Sequence, residues 1–238
     1  MIKKQIKNFL IKNGWQLKKI IKSNSYTNEA PSLEEINKLY NCEGVLHLGA
    51  HRGGEAEIYD WFQKKVIWIE ANPIIFEDLK IKIMQFVNQS AYNYLISDKN
   101  EENVKFNLSN NDHASSSIFD FGDLSSGNKS LWKNKKLHMT SSINLNSISI
   151  DSFVLKEKID IKKFNHWVVD LQGAELLALK GGEKSLENCN SILIEVSTGE
   201  VYKNGAKWID IKNYLNGKNF KECWLPKKTH SSVLFVKN

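Results

Sequence analysis

From residue 44 onward, short apolar runs of strand length alternate with stretches of helix length, and this alternation constrains the fold more than any other feature of the chain. The first runs are residues 45–48, 66–69 and 92–96, separated by helical patterns near 55–63 and 74–87. A βαβαβ order of this kind predicts parallel neighbours covered by helices. The rhythm resumes with a strand at 167–170, a helix around 174–180, a strand at 192–196 and a helix near 207–215. Two last strands, near 220–225 and 233–236, have only a short turn region between them. They predict a terminal hairpin that puts one antiparallel strand into an otherwise parallel sheet. Residues 109–147 interrupt the pattern with Ser, Asn, Gly and Lys, and read as a long polar loop of the kind that carries function in a compact domain.

The chain has 238 residues, 41% hydrophobic and 25% charged, enough to fill one α/β core over 44–238 behind an N-terminal extension over 1–43. The net charge of +6 is concentrated in that extension, where seven lysines from Lys3 to Lys22 precede any acidic residue. The remainder is nearly balanced, which argues against a nucleic-acid partner. Within 2–22 the apolar residues Ile2, Ile6, Phe9, Leu10, Leu17, Ile20 and Ile21 recur at roughly helical spacing. The segment reads as a basic amphipathic helix, suited to docking on the domain, on a second subunit, or on an anionic membrane surface. After Pro31, Ser32-Leu33-Glu34-Glu35 predicts the capped start of a short helix. No run has the length of a membrane span and no secretory signal is visible, so the expected location is cytoplasmic, with peripheral contact at the inner membrane surface as the extension of that reading. Cys42, Cys189 and Cys223 are too dispersed for a disulfide framework or a zinc site.

The chemistry concentrates first at Gly44-Val45-Leu46-His47-Leu48-Gly49-Ala50-His51-Arg52-Gly53-Gly54-Glu55, a buried strand that runs into a glycine-rich turn and then a helix. Such a turn lets a ligand approach the backbone closely. The next strand ends in Glu70, 21 residues beyond Gly49, where an acid accepts hydrogen bonds from both ribose hydroxyls of an adenosine cofactor. Asn72-Pro73 then starts the following helix.

From residue 44 to the C-terminus the chain resembles the FkbM-type methyltransferases. Four segments carry the resemblance: Leu46 to Glu55, Ile67-Trp68-Ile69-Glu70-Ala71-Asn72-Pro73, Val169-Asp170-Leu171-Gln172-Gly173-Ala174-Glu175-Leu176, and Leu179-Lys180-Gly181-Gly182. The resemblance implies a Rossmann-like class I methyltransferase fold, a mostly parallel seven-stranded sheet with a C-terminal antiparallel hairpin. It also implies S-adenosylmethionine as methyl donor, with S-adenosylhomocysteine as its product, and an oxygen of a sugar or other small metabolite as acceptor, as in surface-glycan assembly. Carried over by position, Gly49, Ala50, His51, Arg52, Gly53 and Glu55 form the cofactor loop, and Glu70, Ala71 and Asn72 the ribose end. Ser97 and Asp98 would flank the adenine, while Asp170 and Gln172 would lie near the reacting end. The chain departs from the family at His47, where an acid is frequent, and at Gln172, where Asp-x-Glu-Gly-x-Glu is usual.

Methyl transfer from a sulfonium requires alignment and removal of a proton. Asp170, at the end of a central strand, is the leading base, followed by Glu195 at the next strand end and by His113 and His230, whose ordinary pKa suits neutral-pH proton transfer. Ser115, Ser116 and Ser117 read as a flap that offers hydroxyls to the acceptor, with Glu175 beside them. Arg52, the only arginine, could grip the methionine carboxylate of the donor or an anionic group of the acceptor. No cluster with reliable metal-ligand spacing appears, which leaves metal dependence open. An NAD-linked or nucleotide-sugar oxidoreductase would share the loop and the ribose acid, but no Tyr-x-x-x-Lys arrangement suited to hydride transfer follows. A non-catalytic membrane-associated assembly module would use the basic helix and leave the cofactor motifs without purpose.

Overall fold

A computed structural model of the chain describes residues 32–126, 129–132 and 136–238, so the basic helix expected over 2–22 lies outside the described residues. Leu33–Asn238 forms one compact unit. It opens with α1 (Leu33–Asn41), whose Glu34 and Glu35 in the first turn complement the positive end of the helix. No helix among the described residues is long and apolar enough to cross a membrane.

The strands β1 (Gly44–Leu48), β2 (Lys65–Glu70) and β3 (Gln89–Asn93) alternate with α2 (Ala56–Trp61) and α3 (Pro73–Ile83). β1 pairs in parallel with β2, and β2 with β3. The chain then leaves the sheet, and where the sequence predicts a single strand over 92–96 the structure has β3 and a separate β4 (Leu95–Ser97). β4, β5 (Glu101–Ser109) and β6 (Met139–Ser149) form a second sheet in the order β4-β6-β5. The polar loop expected over 109–147 is therefore shorter than predicted, because its last part is strand β6. Val104, Phe106 and Leu108 of β5 and Ile143 and Leu145 of β6 alternate with polar neighbours and pack with Leu95 in a small core of their own.

After β6 come α4 (Ile150–Lys156), β7 (His166–Val169), α5 (Glu175–Gly181), the short α6 (Glu183–Leu186), β8 (Ser191–Ser197), α7 (Trp208–Gly217), β9 (Phe220–Glu222) and β10 (His230–Lys237). The main sheet has seven strands in the order β3-β2-β1-β7-β8-β10-β9. β10 is antiparallel to both of its neighbours, and every other pair is parallel. This is the sheet expected of the class I methyltransferase fold, hairpin included.

Strand alternation divides the core between the two faces of the sheet. Val45, Val66 and Trp68 meet α2 and α3 through Tyr59, Leu79 and Ile83. Leu46, Leu48, Ile67, Ile69, Trp167 and Ile194 face the other way, onto Phe153 of α4, Leu179 of α5 and Leu215 of α7. Both faces are covered, so the carboxyl ends of β1, β2, β7 and β8 are the natural place for a ligand.

Candidate active site

The turn after β1 is shaped by its protein neighbours. Gly49 has φ +80°, and a Cβ there would stand 1.7 Å from the carbonyl oxygen of Asp170 on the adjacent strand. Gly53, at φ +64°, would place a Cβ 2.8 Å from Leu79 of α3. Close packing of strand and helix, more than approach of a ligand, requires these two glycines. The amides of Gly49 and Ala50 both donate to Ile69 O at 3.0 Å, which ties the turn to β2. His51, at φ +46°, donates its amide to Glu70 Oε2 at 2.8 Å, and Asn72 donates its own to Glu70 Oε1 at 2.8 Å. The Glu70 carboxylate is thus oriented by two backbone amides at the tip of β2, while burial holds its pKa above the ordinary carboxylate value. Ala71 follows it in the turn.

Asn72 caps α3 by accepting from the Ile74 amide at 3.0 Å, but its Nδ2 is buried without a partner. An orphaned donor beside an oriented carboxylate is the donor and acceptor pair that a ribose and its base would satisfy. The residues present therefore fit S-adenosylmethionine, and Glu70 and Asn72 are the ones that would hold its adenosine end. Glu55 precedes α2 and is exposed. Ser97 Oγ donates to Asp98 Oδ1 at 3.1 Å, and the two residues end β4 with the Ser97 carbonyl set against α5 at Gly181.

Arg52 is held by two aspartates. Its Nε donates to Asp78 of α3 at 2.8 Å and its terminal nitrogens to Asp112 in the β5–β6 connection, Nη2 to Oδ1 at 3.1 Å. His51 Nε2 lies 3.0 Å from the Asp112 carbonyl oxygen. His47 points away from the turn into the core, stacked on Trp68 at 4.6 Å with Nδ1 3.0 Å from Tyr59 Oη. Burial lowers its pKa to about 3, so it is a neutral core residue.

The second part of the site lies at the ends of β7, β8 and β10. Asp170, Glu175 and Glu195 each bring a carboxylate oxygen within 4.8 Å of the others. Their separation in sequence hid this convergence, which the parallel pairing of β7 with β8 creates. Glu175 accepts the amides of Leu171 at 2.9 Å and Gly173 at 3.0 Å, bracing the turn after β7. Burial, then the charge of Glu195, raise its pKa to about 7 against the pull of those amides. Asp170 and Glu195 lie side by side, and Gln172 Nε2 donates to Asp170 Oδ1 and, at 2.9 Å, to Glu195 Oε2. Gln172 has φ +53°, a left-handed conformation unusual for a side chain of its type.

His230 Nε2 lies 2.9 Å from Glu195 Oε1 and its Nδ1 2.8 Å from Ser197 Oγ, with the Trp132 ring edge-on at 5.4 Å. Burial disfavours a charged imidazole, but the Glu195 charge and hydrogen bond outweigh it and raise the His230 pKa. Burial likewise acts to raise the Glu195 pKa, and the charge of His230 with the hydrogen bonds from His230 and Asp170 overcomes it and holds Glu195 low. Asp170 goes the other way: burial first, then the Glu195 and Glu175 charges, raise its pKa well above the ordinary range. Within the cluster burial and the neighbouring carboxylates favour the protonated form of Asp170, while the His230 contact favours the charged form of Glu195.

The serines close this region from above. Ser117 Oγ donates to Gln172 O at 2.7 Å, Ser116 Oγ accepts from the Ser109 amide at 3.1 Å, and Ser115 Oγ accepts from Asn111 Nδ2 at 2.9 Å. Their hydroxyls hold the connection together and tie it to the turn after β7. Among the described residues no hydrogen bond or ion pair links His113 to the acidic cluster, and its Nδ1 is buried without a partner. Tyr202, in the loop after β8, escaped the sequence reading. Its hydroxyl donates to Gln172 Oε1 at 2.5 Å, and only the tertiary fold brings the two together.

A family model described as "Methyltransferase FkbM domain" matches residues 47–222. No curated protein matches the chain. Among solved structures, the PH0226 protein of Pyrococcus horikoshii OT3 is similar at 11% identity and a TM-score of 0.47, covering 92% of this chain and 94% of that one. A SAM-dependent methyltransferase from Aquifex aeolicus is similar at 10% identity and a TM-score of 0.44, covering 85% and 87%. Magnesium protoporphyrin IX methyltransferase from Synechocystis PCC 6803, solved with bound SAM, is similar at 7% identity and 0.44, covering 85% and 74%. The family match spans most of the chain, including the turn after β1, Glu70 and the Asp170 to Glu195 region, and the chain belongs to the FkbM family of S-adenosylmethionine-dependent methyltransferases.

Proposed function

We propose that this methyltransferase acts on oxygen, methylating a hydroxyl of a sugar or related small metabolite in the assembly of a surface glycan. The observation that carries the reading is Glu195 at the end of β8, paired with His230 at 2.9 Å and within 4.8 Å of the Asp170 and Glu175 carboxylates. It stands next to the turn after β1, because Asp170 O packs against Gly49. The bound donor supplies an activated methyl on a sulfonium. The donor's sulfur would leave with the C–S electron pair as the acceptor oxygen takes the methyl, and Glu195 is the residue placed to receive the hydroxyl proton. Asp170, the first candidate from sequence, is held above the ordinary carboxylate range by burial and the neighbouring carboxylates, which disfavours the charged form a base needs. Alignment contributes on the order of 7–11 kcal/mol and the base ~10²–10⁴-fold, so the turn and the roof over it matter more than any one carboxylate.

The test is transfer of labelled methyl groups to sugars and nucleotide sugars, with and without chelator, for the wild type and Glu195→Gln. A labelled O-methyl product and a loss of about 100-fold or more in kcat for Glu195→Gln, with S-adenosylhomocysteine binding retained, are expected. Product methylated on nitrogen or carbon, or an unimpaired variant, refutes the reading. The proposal includes a cytoplasmic site of action in which the lysines of 3–22 reach an anionic inner membrane surface. Flotation with anionic vesicles, lost at high salt, is the expected result, and absence of flotation at low salt refutes that part.

A further inference from the structure

Tyr202 occupies a place built for it. The residue is 4% exposed, and its ring lies against Phe121 at 5.6 Å. A Cβ on Gly173, at φ +102°, would stand 2.9 Å from Tyr202 Cβ, and one on Gly205 would stand 3.1 Å from it. Position 173 must therefore lack a side chain for Tyr202 to sit here, and position 205 leaves it only close contact. Its hydroxyl lies 2.5 Å from Gln172 Oε1 and 3.2 Å from the Ser115 carbonyl oxygen, and its one hydrogen goes to the nearer acceptor.

A carboxamide has an acceptor at one end and two donors at the other. With Oε1 taken by Tyr202, Nε2 faces Asp170 and Glu195; turned over, Oε1 would confront both carboxyl groups. We propose that Tyr202 is a positioning residue of the acidic cluster, fixing the Gln172 amide so that one Nε2 donates to Asp170 and Glu195 together. Its place in the methyl transfer rests on the base assignment proposed above. The groups facing this amide and its partners are Asp170 from β7, Glu175 from α5, Glu195 from β8 and His230 from β10. His230 answers to the charge on Glu195, so it reports whether the amide still stabilises that charge.

The experiment compares wild type, Tyr202→Phe, Gln172→Met and the double variant. Imidazole titration of His230 by NMR is followed without donor or acceptor, and the pH dependence of kcat is followed with both. Each single variant is expected to raise the His230 pKa further above its ordinary value of about 6.5, because an ionised Glu195 that has lost the amide accepts more strongly from the imidazolium. Each also raises the acid limb of kcat by about one pH unit, the size of a lost hydrogen bond to a charged group. The double variant goes no further than Gln172→Met, because Tyr202 acts through the amide. The proposal is overturned if Tyr202→Phe leaves the His230 titration in place, or shifts it as far in the Gln172→Met background as in the wild type. If the titrations behave as expected while no hydroxyl acceptor is methylated, the positioning stands and the base assignment falls.

Discussion

Arg52, in the turn after β1, is paired with Asp112 of the β5–β6 connection through both terminal nitrogens of its guanidinium, which joins the main sheet to the roof built on the second sheet. The same side chain reaches Asp78 of α3. A fork shared between two aspartates is already engaged before any ligand carboxylate arrives. Lysine has one donor centre and cannot span both partners. Arg52→Lys is expected to raise the Michaelis constant for the donor by no more than about fivefold with kcat unchanged, since the pairs are partly exposed. A drop in kcat of the same size would show that Arg52 touches the reacting groups.

Glu70 offers the prediction with the largest effect on donor binding. Its carboxylate is oriented by the amides of His51 and Asn72, and hydrogen bonds to charged groups are worth about 1.5–3 kcal/mol. Glu70→Gln is expected to weaken S-adenosylhomocysteine by about 10- to 100-fold in titration calorimetry. Unchanged affinity would remove Glu70 from the binding site.

The two glycines of the turn differ in what they touch, so alanine should separate them. At Gly49 the added Cβ meets the Asp170 backbone at 1.7 Å, and at Gly53 it meets the flexible end of Leu79 at 2.8 Å. Gly49→Ala is expected to cost about 3 kcal/mol or more in urea denaturation, and Gly53→Ala less, although both add strain at positive φ. Equal losses would mean that β1 and β7 can separate easily.

His47 makes stability depend on pH. Its pKa is about 3 in the fold because burial disfavours the charged ring, and about 6.5 in the unfolded chain. The unfolded chain takes up the proton first, so the contribution of neutral His47 is complete above about pH 6.5 and is lost as pH falls toward the folded value. His47→Phe removes this dependence. It also strands the Tyr59 hydroxyl at any pH, so the informative quantity is the stability difference from wild type, which should move in favour of the variant by about 1.4 kcal/mol per pH unit between about pH 6 and pH 4. Denaturation at three pH values measures it, and a constant difference would mean that the ring is protonated in the fold.

Local features made the cofactor half of the site readable. The run from Leu46 through the glycines, the apolar strand ending in Glu70 and the Asn72-Pro73 start of α3 are each contiguous in sequence, and the helices and strands around them follow simple periods. Asp170 and Glu195 were readable as strand ends, but their juxtaposition was not, since it depends on β7 and β8 being neighbours. Tyr202 and the Glu195–His230 pair depend on loops and on β10 returning beside β8. β6 was concealed by Ser and Asn at its outward positions, although Ile143-Asn144-Leu145-Asn146 alternates as a strand should. The break between β3 and β4 left no mark because Tyr92 to Ile96 is apolar enough to pass for one strand. His47 looked like a departure within a functional motif; the stack on Trp68 makes it part of the core.

The left-handed backbone at Gln172, φ +53°, sets local strain against a buried hydrogen-bond network at a single position. Glycine would adopt that conformation with less strain, a difference of about 1 kcal/mol. It would also delete the amide that Asp170 and Glu195 share. The Tyr202 hydroxyl would be left without its nearer acceptor, and buried groups left unpaired cost about 1–3 kcal/mol each, so Gln172→Gly is expected to lower the unfolding midpoint in spite of the relieved strain. The turn after β7 thus keeps a strained backbone because the side chain it carries ties three buried polar groups from separate parts of the chain to one amide.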